Sequence, residues 1–404
     1  MNPMQPPALV LSLAEGVKAL GGTAYAVGGV VRDHLLHRPI YDWDIEVHAV
    51  PEAQLVSLLR RLGHVDAVGK AFAVFKLTKR GLTIDVSLPR RDSNAGPGHK
   101  GIDVIGDPFL GIREASRRRD LTLNAILCNL LTGELIDPFG GVDDLNNGIL
   151  RAVDEQTFLE DPLRALRVVQ FAARLNAKPT PALITLCKRA AVDELPAERI
   201  RGEWFKLLLA DYPGVGLEVA QRANLLRRIF PGTPDDVGTT LDRLVSARDA
   251  EPHPGRKLAL MLTAWLADVT APEAILDILF IHKWLGYRLR EAVLAAVEAI
   301  HKPSKADSDL RRLATLAEPF LALSVSHAQG TAAGTHPALA RATDLGLRYE
   351  AEPPLLQGRD LFVLGAKPGP HMGAILAAVY NAQISGDVRS REQALVLAKS
   401  RLNA

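Results

Sequence analysis

The sequence predicts an α+β head, a mixed sheet flanked by helices, followed by an all-α neck, body and tail. Three observations carry this reading. Residues 24–47 run from a short apolar stretch through two glycines and a helical stretch to a second apolar stretch. Residues 72–88 read as two strands joined by a turn at Lys79-Arg80-Gly81. From Phe158 onward, apolar residues recur at helical spacing.

A chain of 404 residues has room for more than one compact unit. At 48% hydrophobic and 23% charged, it has the composition of a soluble globular protein. The net charge of +2 does not by itself point to nucleic acid. Local clusters such as Arg117-Arg118-Arg119 and Arg227-Arg228 say more, although each alone reads as a solvated helix face. Aromatic residues make up only 5%, so base-stacking platforms are scarce. Cys128 and Cys187 lie in apolar surroundings and suggest buried thiols in a reducing compartment. No apolar run approaches membrane-spanning length and no signal-like leader opens the chain, so a cytoplasmic location is expected.

Ala24 to Val27 reads as a buried strand. Gly28 and Gly29 follow, where the backbone can turn sharply and its N–H groups can approach a ligand. Val30 to His37 reads as a helix whose N-terminus suits phosphate, with Arg32 one turn in. After Pro39, Ile40 to Val47 reads as a strand. Its alternation puts Asp42 and Asp44 on one face and Trp43 and Ile45 on the other. Two carboxylates beside a phosphate cradle make a site for magnesium.

In the strand Leu82 to Leu88, Asp85 shares a face with Thr83 and Ser87. It is a candidate third carboxylate, and an ordinary exposed aspartate fits the pattern as well. Pro89 to Glu114, rich in Gly, Pro and charge, reads as a long loop. A helix starting at Arg118 would place Asp120 and Asn124 on one face. Ile136 to Leu145 reads as the strand and turn that close the head. The stretch FLEDPLRALRVVQFAARL then carries Glu160, Asp161, Arg164 and Arg167 on the polar face of a helix. Residues 198–209 read as another amphipathic helix, and 210–300 as a helical bundle.

Strand, Gly-Gly, Val-Arg-Asp, short helix and Asp-x-Asp in this order resemble the core of the polymerase-beta-like nucleotidyltransferases. More narrowly, GGVVRD followed by DWD resembles the class II tRNA CCA-adding enzymes and bacterial poly(A) polymerases. The resemblance implies a catalytic head over 1–147, a base-recognising neck over 148–210, a body over 211–300 and a tRNA-binding tail over 301–404. It implies two magnesium ions on Asp42 and Asp44, and tRNA, CTP and ATP as partners. The nucleotide would contact Gly28, Gly29, Arg32, Arg118, Arg119, Asp120, Asn124, Glu160, Asp161, Arg164 and Arg167. Asp161 only accepts hydrogen bonds and Arg164 only donates them, which suits the amino group and ring nitrogen shared by cytosine and adenine. Two departures stand out. Gln170 occupies a position where many relatives carry arginine. Ala267 precedes Asp268 where some relatives carry the His-Asp pair of a phosphohydrolase. A split C- or A-adding enzyme, a poly(A) polymerase and a catalytically silent RNA-binding protein are the alternatives.

Overall fold

The computed structural model describes residues 4–67, 74–94, 102–302, 304, 306–318, 321, 337–347 and 350–403. The chain divides into two compact units, Met1–Leu195 with Arg222–Leu225, and Pro196–Gln221 with Leu226–Ala404.

The first unit begins with α1 (Ala8–Ala19), whose buried Leu9, Val10, Leu13, Ala14 and Val17 fall at helical spacing. It is followed by β1 (Thr23–Val27), α2 (Gly29–Leu35), β2 (Trp43–His48), α3 (Glu52–Leu62), β3 (His64–Ala67), β4 (Val74–Lys79) and β5 (Leu82–Ser87). With β8 (Leu127–Asn129) and β9 (Leu135–Ile136) these strands form one sheet in the order β3-β4-β5-β2-β1-β8-β9. β2 and β5 run parallel and the other neighbours antiparallel, so the sheet is mixed. β2 lies between β1 and β5. Its Trp43, Ile45 and Val47 enter a core shared with Leu13 and Val17 of α1 and Leu55 and Leu59 of α3.

Four expectations need correction. β2 starts at Trp43, not Ile40, because its ladder to β5 begins with Trp43 opposite Ile84. Asp42 therefore precedes the strand. The expected long loop holds β6 (Arg90–Asn94) and β7 (Ile102–Gly106), an antiparallel ribbon whose backbone groups satisfy each other whatever the side chains. Residues 95–101 lie outside the described set, as does Phe72 of the expected β4. After α4 (Ile112–Arg117), Leu121 is extended and only Thr122–Asn124 form a single 3-10 turn. A helix from Arg118 is prevented because this backbone pairs with residues 151–153: Thr122 N–H donates to Arg151 O at 3.0 Å and Val153 N–H to Asp120 O. Past β9 the chain forms α5 (Gly141–Asn146), not only a turn, with Asp137 accepting from the N–H groups of Gly141 and Val142. A Cβ on Gly141 would stand 2.1 Å from Thr122 O, so only glycine allows α5 to lie against the 3-10 turn.

A small parallel pair, β10 (Ile149–Leu150) with β11 (Lys178–Pro179), flanks α6 (Glu155–Glu160) and α7 (Leu163–Leu175). α8 (Pro181–Arg189), capped by the Thr180 hydroxyl, follows within the same unit.

The second unit is helical where described. In α9 (Ala197–Leu208) the Trp204 ring packs against Phe230 and Trp265 at centroid distances of 4.6 and 5.0 Å. Trp265 belongs to the helix Pro254–Leu266, almost wholly buried from Leu258 onward. The C-terminal helices Gly358–Val363, Pro370–Ser385 and Arg391–Leu402 share a small core of their own around Leu361, Val379 and Ala398.

Candidate active site

The start of β2 presents Asp42 and Asp44 at the surface. Parallel pairing sets Asp44 directly opposite Asp85 on β5, and antiparallel pairing sets Asp85 opposite Lys76 on β4. Partial desolvation raises the pKa of the Asp44 carboxyl, and the like charges of Asp85 and Asp42 push it the same way against Arg119 and Lys76. Crowded carboxylates of this kind are relieved by a hard divalent cation, and oxygen donors suit magnesium. Asp85 is engaged by the Lys76 ammonium at 2.9 and 3.3 Å. Among the described residues no group of three or more His, Cys, Asp or Glu side chains is set to hold a metal. Asp42 and Asp44 are exposed and offer only oxygen donors, the chemistry a hard cation takes.

Gly28 has φ 65° and ψ −122°, a conformation that strains any residue with a Cβ. A Cβ there would also stand 3.2 Å from Nη1 of Arg119. The guanidinium beside the glycine turn thus comes from a distant segment. The other end of that guanidinium, Nη2, lies 3.5 Å from the Glu46 carboxylate, and Arg118 donates to the same oxygen at 3.2 Å. His48 Nε2 lies 3.0 Å from the other Glu46 oxygen. Burial alone would raise the Glu46 pKa. The bond to His48 and the charges of Arg119 and Arg118 outweigh it and pull it down to about 2. Glu46 was not anticipated, although the signal was present: DWDIEVH continues the period of two from Asp42 through Asp44 to residues 46 and 48.

Arg32 is only 4% exposed. Three of its five N–H donors are engaged, two with Asp33 at 2.9 and 3.0 Å and one with Asn124 Oδ1 at 2.7 Å. Its Nη2 lies 3.5 Å from the point a Gly29 Cβ would occupy. Asn124 in turn donates to Asp120 at 3.0 Å, so the expected Asp120–Asn124 pair forms across the 3-10 turn instead of along a helix. Asp120 also accepts from its neighbour Leu121 N–H and, at 2.6 Å, from Arg167 on α7. Burial pushes the Asp120 carboxyl up, but Arg167, Asn124 and the backbone bond together hold it below the usual range. The guanidiniums of Arg32 and Arg167 both lie over the Phe171 ring, at 5.1 and 5.2 Å.

The expected continuous helix through FLEDPLRALR is broken. Glu160 ends α6, and Asp161 is extended at φ −118° and ψ 102°. The cause is Pro162, which drives its predecessor out of the helical region. Asp161 therefore precedes α7, and its side chain accepts from Leu163 N–H at 3.0 Å. Arg164 donates to the carbonyl oxygens of Thr157 and Arg118, the latter at 2.6 Å. The two side chains do not sit one turn apart on a single helix face as the spacing suggested.

Residues 24–151 match the poly A polymerase head domain, and 180–236 a probable RNA and SrmB-binding site of polymerase A. The multifunctional CCA protein of Nitrosococcus oceani is 39% identical over 211 residues, 51% of this chain and 50% of that protein. That of Stenotrophomonas maltophilia K279a is 38% identical over 214 residues, 51% of each. The chain carries a poly A polymerase head domain over residues 24–151. It spans about half the length of the curated relatives it matches. Likeness of fold runs over more of the chain. The Bacillus stearothermophilus CCA-adding enzyme, solved in complex with CTP, superposes with TM-score 0.70 at 24% identity, covering 99% of this chain and 98% of that one. The Thermotoga maritima CCA-adding enzyme, solved with tRNA, gives 0.64 at 20%, covering 99% and 97%.

In the second unit, Ala267 and Asp268 follow the helix Pro254–Leu266, and His301 Nε2 lies 2.6 Å from the Ala267 carbonyl. No helix among the described residues is long and apolar enough to cross a membrane.

Proposed function

We propose that the chain adds C and A nucleotides to the 3′ end of tRNA without a template, using CTP and ATP and releasing pyrophosphate. The observation that carries this is a pair of surface carboxylates, Asp42 just before β2 and Asp44 on it, next to the strand residue Glu46 that anchors the arginine beside the Gly28 turn. Asp42 and Asp44 would hold magnesium, two ions by the family resemblance; when bound it supplies Lewis-acid polarisation of the triphosphate and eases ionisation of the attacking 3′-hydroxyl. In the reaction the 3′-oxygen bonds to the α-phosphorus and the bond to pyrophosphate breaks.

The chain's own groups bind and orient. Gly28 and Gly29 let the triphosphate approach the backbone. Arg119 and Arg118 supply positive charge, and Arg32 fixes α2 against Asn124. Asp120, held by Arg167 and Asn124, orients the sugar end of the nucleotide. Asp161 and Arg164 select the base by exchanging their backbone partners for the amino group and ring nitrogen that C and A share. Residues 148–210 serve as the neck, 211–300 as a body without hydrolase activity and 301–404 as the tail on RNA phosphates, in the cytoplasm.

The test supplies a tRNA lacking its CCA end with each nucleotide and counts what is added. Addition of C, C and A is expected. Asp42→Ala or Asp44→Ala should each lower transfer by roughly 10²–10³-fold or more with the fold intact. Transfer within tenfold of the parent in either variant overturns this site. Because the head matches a poly A polymerase domain, the second reading is A addition alone, and runs of A without C would establish it.

A further inference from the structure

Glu46 stands two residues beyond Asp44 on β2 and is fully buried. A carboxylate there is costly to bury unless it is paired. It is paired three times, with Arg118, Arg119 and His48. The Arg119 fork spans a gap: Nη2 lies 3.5 Å from Glu46, and Nη1 stands 3.2 Å from where a Gly28 Cβ would be. A guanidinium is planar and rigid, so fixing one nitrogen sets the direction of the other. The backbone carbonyls of Arg117 and Arg118 are held independently by Thr157 and Arg164. The segment is therefore placed by its backbone, and Glu46 is left to aim its side chains.

We propose that Glu46 is a positioning residue, which holds Arg119 in place to receive the β- and γ-phosphates of a nucleoside triphosphate at the Gly28 turn. The inference rests on the nucleotidyl-transfer reading. Its consequence is that one strand sets both parts of the site. Successive same-face residues on a strand lie about 7 Å apart, so the anchor of the phosphate cation has a fixed spacing from Asp44.

The experiment measures calorimetric binding of inorganic pyrophosphate, CTP and CMP to the full chain, together with KM and kcat for CTP. Glu46→Gln keeps the shape and removes the charge. Binding of pyrophosphate and CTP should weaken about tenfold, with KM for CTP rising in proportion and CMP binding unchanged. Glu46→Asp should recover part of the loss. Arg119→Gln should reproduce the loss, and the double variant should be no worse than either single one. If Glu46→Gln does not fold, Arg119→Gln with parental pyrophosphate affinity overturns the proposal by itself. Equal weakening of CMP and CTP, or additive losses in the double variant, also overturns it. Glu46-dependent pyrophosphate binding in a chain that transfers no nucleotide would sink the transfer reading and leave this one standing.

Discussion

Around Phe171 in the first unit the buried groups are charged, and around Trp204 in the second they are aromatic. Arg32, Asp120 and Asn124 are each held by named partners within 3.0 Å. Trp204, Phe230 and Trp265 fill space against one another, and neither buried indole N–H has a partner among the described residues. Buried charge is tolerated only where geometry is strict, so the first arrangement fixes atoms. The second fixes volume, and its energy comes from area removed from water.

The sharpest way to break this contrast is Trp204→Ala. Removing a fully buried indole should destabilise the second unit by about 3–5 kcal/mol in chemical denaturation. A loss under about 1 kcal/mol would mean the aromatic cluster is not what holds that unit. Asp120→Asn should cost about 1.5–3 kcal/mol at neutral pH, because bonds to a charged group are removed or weakened. Here the sign of the pH dependence is definite. The folded pKa of Asp120 is depressed below the ordinary 3.8, so its stabilisation is present above that value. It is lost as pH falls through the lower folded value. The parent's advantage over Asp120→Asn should therefore be steady near pH 7 and shrink only below about pH 4. An equal gap at pH 7 and at pH 2 would show that the charge of Asp120 contributes nothing. The smallest effect belongs to neither interior. Arg227 and Asp235 pair at 3.0 Å with both side chains about two-thirds exposed. Arg227→Ala should cost under about 1 kcal/mol and nothing at high salt. A larger cost would blur the distinction between interior and surface charge.

The same contrast explains how far the chain could be read before its fold was seen. Local rules found β1, α2 and the alternation of β2, because glycines and a period of two act within a few residues. The break at Pro162 was equally local and could have been read from the proline itself. The arginine beside Gly28 could not, since Arg119 reaches it from 91 residues away in sequence through tertiary packing. The 3-10 turn at Thr122–Asn124 was hidden for the same reason: its backbone answers to residues 151–153. The ribbon of β6 and β7 left no pattern, because two strands paired mainly to each other need no apolar face.

One property of β2 reaches beyond chemistry. Its Trp43, Ile45 and Val47 face the core, and Asp44, Glu46 and His48 face the other way. Sliding the strand by a single residue would drive two carboxylates into that core and turn a tryptophan and an isoleucine outward. Such a molecule could not persist as a well-folded but inactive impostor. Errors of register at this strand are converted into failures of folding, which the cell's chaperones and proteases clear. Among copies that survive, the candidate site comes correctly assembled.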